Sequence, residues 1–149
     1  SLKPLKDCFI VLAKPEAGVS TAEAYAAADN TYLYRPDSMR MLDACEKGDF
    51  ELICKYAGNV FEQVIEVADR VEFKRIMRSN GCSLCQMSGS GPTVFAVYSQ
   101  LNDAKEACMS LREKGYEAWM QAFCNRKYNS DFSRERNRSV AVYLEQFAE

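Results

Sequence analysis

The longest regular pattern of apolar positions runs through residues 50–68. Ile53, Tyr56, Ala57, Val60, Phe61, Val64, Val67 and Ala68 recur there at spacings of three and four. Such a stripe lies on one helix face, so the spacing predicts a single long helix packed on a core. Shorter segments flank it. Residues 8–13, CFIVLA, are continuously apolar and read as a buried strand, closed by Lys14, Pro15 and Gly18. Ser20 then opens an alanine-rich helix that stops near Asp29 and Asn30, and Ser20 and Glu23 have capping-box spacing. Residues 30–36 form a loop, with Pro36 placed to open a helix over 38–46 that Gly48 ends. A helix over 71–79 would bury Val71, Phe73, Ile76 and Met77 and stop at Asn80-Gly81.

Beyond that point the period changes from helical to extended. Residues 82–87 and 93–98 read as two strands joined by Ser88-Gly89-Ser90-Gly91-Pro92. The second, TVFAVY, is apolar on both faces and suits a central place in a sheet. A helix over 102–114 carries Leu101, Ala104, Ala107, Cys108 and Leu111 on one side and stops at Gly115. Residues 116–124 make a last strand.

This order of elements predicts an α+β fold, a two-layer domain over residues 1–124 with helices on a small antiparallel sheet. The nearest standard motif is the ferredoxin-like β-α-β-β-α-β arrangement, with extra helices in the first crossover. Residues 125–138, NRKYNSDFSRERNR, carry five Lys/Arg against two acids and read as an exposed basic linker. A patch for phosphate or RNA is the sharper alternative, though so short a run gives weak electrostatics. In 139–149, Val140, Tyr143, Leu144 and Phe147 fall on one face of a terminal amphipathic helix.

Composition narrows the chemistry. The 149 residues, 48% apolar and 27% charged, suit one soluble core. A net charge of −2 gives no electrostatic reason to expect nucleic acid or an anionic membrane as partner. No apolar run approaches the ~20 residues that span a bilayer, and no signal-peptide pattern is visible. A first residue of Ser rather than Met leads to the expectation of a truncated or processed N-terminus. Seven cysteines, an odd number set mostly in apolar stretches, read as reduced thiols of a cytoplasmic protein. Cys82 and Cys85 form a lone C-x-x-C. On one strand they would point to opposite faces, and with no histidine in the chain a zinc site lacks ligands. The same lack of histidine excludes Ser-His-Asp and Cys-His catalysis. Acid pairs such as Glu62, Glu66 and Asp69 read as solvated faces and caps.

The glycine-rich loop at 88–92 is the strongest candidate for function. Glycine permits positive φ and close approach of a ligand, and successive amides can form an anion-binding concavity. Spacing alone favours an ordinary glycine-rich hairpin turn, and no Lys-Ser/Thr follows as a Walker A loop would require. In sequence, however, Met87 to Tyr98, MSGSGPTVFAVY, resembles the third conserved motif of the GHMP small-molecule kinases. CFIVLAKPEAGVSTAEAY at 8–25 and GNVFE at 58–62 resemble the C-terminal domain of one branch, the 4-diphosphocytidyl-2-C-methyl-D-erythritol kinases. The resemblance runs from about Phe9 to Phe123 and fades beyond it.

The resemblance implies a kinase that uses ATP and Mg to phosphorylate the tertiary 2-hydroxyl of a cytidine-diphosphate methylerythritol in non-mevalonate isoprenoid synthesis. It implies that the catalytic Lys and Asp and the main ATP loop belong to a missing N-terminal kinase domain. No catalytic or metal-binding residue is then expected in this chain, which would be inactive alone. Ser20, Thr21 and Tyr25 would face the cytidine, with Tyr25 stacking on the base; the plainer reading makes Tyr25 a packing residue. Ser88, Gly89, Ser90, Gly91 and Thr93 would pack against the ATP loop and shape the phosphate site. Two further readings stay open: another GHMP kinase, acting on mevalonate, homoserine or a sugar, and a standalone non-catalytic ferredoxin-like module. A homodimer is also open.

Overall fold

The computed structural model describes residues 5–123. The expected linker at 125–138 and terminal helix at 139–149 lie outside the described residues. Strands β1 (Cys8–Lys14), β2 (Leu84–Met87), β3 (Val94–Tyr98) and β4 (Glu117–Phe123) form one antiparallel sheet in the order β2-β3-β1-β4. This is the expected ferredoxin-like order, and the doubly apolar TVFAVY segment pairs on both sides.

The alternation of side chains across the sheet makes the main core. Phe9, Val11 and Ala13 stand opposite Tyr98, Ala96 and Val94 on one side and Ala122, Met120 and Ala118 on the other. All nine are buried on one face. Helices α4 (Arg70–Ser79) and α5 (Leu101–Glu113) cover that face with Phe73, Ile76, Met77, Ala104, Ala107, Cys108 and Leu111. Each large apolar side chain buried there stabilises the fold by roughly 1.5–3 kcal/mol. The Tyr98 hydroxyl is taken into this core and donates to the Met77 carbonyl at 2.8 Å, which avoids an unsatisfied buried polar group. One expected core residue is misplaced. Val71 is 77% exposed, because it stands two positions before Phe73 and that turns it away from the buried stripe.

The other sheet face is covered less fully. Phe50 and Cys54 of α3 (Phe50–Tyr56) pack there with Cys8, Ile10, Leu84, Phe95 and Val97. Helix α1 (Thr21–Asp29) follows β1, and α2 (Ser38–Lys47) precedes α3. Asp37 and Asp49 cap α2 and α3, accepting from Arg40 N and Leu52 N at 3.0 Å each. Gly48, at φ 68°, ends α2 where expected.

The long helix expected over 50–68 is broken. Helix α3 stops at Tyr56, Ala57 is extended, and a single 3-10 turn occupies Val60–Gln63. Two local contacts account for the break. Gly58 lies so close to Pro36 that an added Cβ would sit 2.8 Å from the ring. Asn59 then caps the new turn, its side-chain oxygen accepting from Phe61 N at 2.9 Å. Apolar spacing continues across the break because both pieces rest on the same body.

The geometry expected for Cys82 and Cys85 also fails. Cys82 precedes β2 rather than lying in it, after Gly81 at φ 79°. The two thiols therefore pack on the same core instead of pointing to opposite faces. Interaction with the Cys85 thiol lowers the Cys82 thiol to about 7. Cys85 is pushed up, by the same interaction and then by burial, and its sulfur lies 3.6 Å from that of Met77. The described residues hold no group of three or more His, Cys, Asp or Glu placed to bind a metal.

Candidate functional site

The loop between β2 and β3 is shaped by its glycines. Gly89 has φ 55° and Gly91 φ 88°, left-handed values that a side chain disfavours. Gly91 N donates to Ser88 O at 2.9 Å, and Ser88 N to Thr93 O at 2.8 Å, which closes the turn. The amides of Gly89 and Ser90 have no acceptor among the described residues. Space beside Gly89 is open, with no atom within 4 Å of an added Cβ. Adjacent unpaired amides on a positive-φ turn can accept an anion.

The two stretches singled out in the sequence meet here. Thr21, the first residue of α1, places its hydroxyl 3.1 Å from that of Ser90. Ser20 is the helix N-cap, accepting from Glu23 N at 3.3 Å, so its hydroxyl is engaged by its own helix. Tyr25 lies one turn further on. Its ring meets Phe61 edge to face, with centroids 5.0 Å apart, yet the residue stays 57% exposed. It therefore rests on Phe61 and is largely open to solvent, outside the buried core. Thr93 contributes its backbone carbonyl to the turn.

Residues that sequence reasoning did not place in the site support it from behind. The Asn59 side-chain amide donates to Met87 O at 2.6 Å and Gly89 O at 2.8 Å. Glu62 accepts a short hydrogen bond from Met87 N and pairs with Lys74 Nζ at 2.6 Å. Arg70 donates to Ile65 O at 2.6 Å and to Glu62 O at 3.2 Å, fixing the far end of the 3-10 turn. The signal that would have found them was the Gly58-Asn59 pair, a helix breaker inside the apolar stripe. A cleft of about 350 Å³ runs beside the loop, lined by Asn59, Phe61, Ser88, Gly89 and Phe95 among others.

Residues 41–117 match the family model described as GHMP kinases C terminal. This chain belongs to the GHMP kinase family. A 4-diphosphocytidyl-2-C-methyl-D-erythritol kinase of Exiguobacterium sibiricum is 43% identical over 123 residues, which are 81% of this chain and 40% of that protein. A crystal structure of 4-(cytidine 5'-diphospho)-2C-methyl-D-erythritol kinase matches 79% of this GHMP kinase segment and 43% of the solved chain. Its TM-score is 0.56 at 25% identity. The L. major mevalonate kinase superposes with a TM-score of 0.63 over 82% of this chain and 44% of its own, at 12% identity, a likeness of fold alone. The chain thus spans about two fifths of the length of the curated relatives it matches.

Proposed function

We propose that this chain is the substrate-side C-terminal domain of an ATP-dependent kinase acting on the 2-hydroxyl of 4-diphosphocytidyl-2-C-methyl-D-erythritol. The observation that carries the reading is the Thr21–Ser90 contact, with Tyr25 open beside it. It joins a helix able to hold a nucleobase to a loop able to hold a phosphate. A cytidine stacked on Tyr25 would leave the alcohol directed toward the terminal phosphate of an ATP held at the loop. The 43% identity to a relative named for that substrate supports this reading over mevalonate or homoserine.

ATP fits the residues present in part. The free Gly89 and Ser90 amides and the open space at Gly89 suit a phosphate oxygen. Magnesium has no ligand set among the described residues, and ATP together with protein outside this segment would hold it. The proton acceptor and main phosphate cradle that phosphoryl transfer needs also fall to the N-terminal domain in this reading. A cytoplasmic site of action belongs to the same reading, supported by six free cysteines among the described residues.

Binding of the cytidyl substrate to the full-length protein tests the role of Tyr25. Base stacking is worth ~1–3 kcal/mol, so Tyr25→Ala should weaken affinity roughly 5- to 150-fold. An unchanged affinity would remove Tyr25 from the site.

A further inference from the structure

The glycine loop carries a potential weakness. Its two left-handed glycines give it freedom, and β2, which leads into it, is an edge strand. The outward N–H and C=O groups of such a strand have no strand partner. At the end of β2 those groups are taken up by side chains of the 3-10 turn. Asn59 donates to Met87 O and Gly89 O, and Glu62 accepts from Met87 N. The second Glu62 oxygen is held by Lys74, and both side chains are largely buried, at 21% and 14% exposure. The carboxylate is thus held in one orientation from α4. The same turn carries Phe61, against which Tyr25 rests.

We propose that Asn59, Glu62 and Lys74 are positioning residues that brace the phosphate-side loop, and that they set affinity for the nucleoside triphosphate rather than for the alcohol substrate. None of them touches the open face of the loop. Asn59 and Glu62 act through the Met87 and Gly89 backbone, and Lys74 acts through Glu62. With the brace intact the Gly89 and Ser90 amides are already aimed, so no binding energy is spent on ordering the loop. The inference rests on the kinase reading above.

The test uses the full-length protein with Asn59→Asp, Glu62→Gln and Lys74→Arg. Asn59→Asp replaces two donated hydrogen bonds by repulsion between a carboxylate and two carbonyls. It should raise hydrogen exchange at the Ser88 and Gly91 amides, the hydrogen-bonded ones of the loop, at least ~10-fold, since the loop would open without global unfolding. KM for ATP should rise about 10-fold or more, as misplacement of this order costs up to ~10²-fold, while KM for the cytidyl alcohol stays unchanged. Glu62→Gln should show the same pattern more mildly, and Lys74→Arg should retain wild-type values. Wild-type exchange and ATP KM in Asn59→Asp would overturn the proposal. So would a loss that raises both KM values alike and lowers Tm in both Asn59→Asp and Glu62→Gln. If the unaltered protein does not phosphorylate the cytidyl alcohol, the kinase reading fails. Loop exchange then decides the brace by itself.

Discussion

Cys82 shows how one misplaced residue changes local chemistry. Alternation along a strand would separate it from Cys85, but Gly81 turns the chain first and the thiols meet. The neighbouring Cys85 thiol favours the Cys82 thiolate, and the thiolate is the nucleophile. Alkylation of Cys82 by iodoacetamide should therefore rise with pH and reach half its maximal rate near pH 7, where its lowered titration lies. Cys108, pushed up by burial, should stay unreacted at that pH. Peptide mass mapping across a pH series checks both, and Cys82→Ser should abolish the early reaction. A first labelled site other than Cys82 would contradict the geometry.

Elements were legible where a local rule had no competitor. The caps at Ser20 and Gly48 and the strands of the sheet follow from side-chain chemistry and period alone. The helix over 50–68 was not, because its period was right while a tertiary contact overruled it. Pro36, distant in sequence, leaves room only for glycine at position 58. Asn59 then spends its side chain on the loop, a use no pattern of apolar positions records. The loop itself was visible from its glycines, but the contact of Thr21 with Ser90 was not, since family resemblance placed the two on the cytidine and phosphate sides without joining them. Gly91 tests the loop as an element. At φ 88° an alanine is strained, and its Cβ would lie 2.6 Å from the Met87 sulfur. Gly91→Ala should destabilise the domain by about 1–3 kcal/mol through overpacking and should loosen the turn. Urea unfolding measures the loss; a change under ~0.5 kcal/mol would show that the turn tolerates a side chain.

At the scale of the whole molecule, the sheet is a platform with unequal faces. One is sealed by α4 and α5, and Glu72 ties their ends together by pairing with Arg75 and Lys114. Those partners, Arg75 first, hold the Glu72 carboxyl down to about 2. The functional candidates gather at the other end of β2 and β3, where the 3-10 turn links the Tyr25 helix to the glycine loop. In the reading proposed above, a platform of this kind would present the cytidyl substrate and leave phosphoryl transfer to a domain outside the segment. The most direct measurement is product formation by the full-length protein with ATP and, in separate reactions, the cytidyl-diphosphate methylerythritol, mevalonate or homoserine. The account predicts ADP release and one added phosphoryl group with the cytidyl alcohol alone. Preferred turnover of mevalonate or homoserine, or no turnover of any of the three by the folded protein, would contradict it.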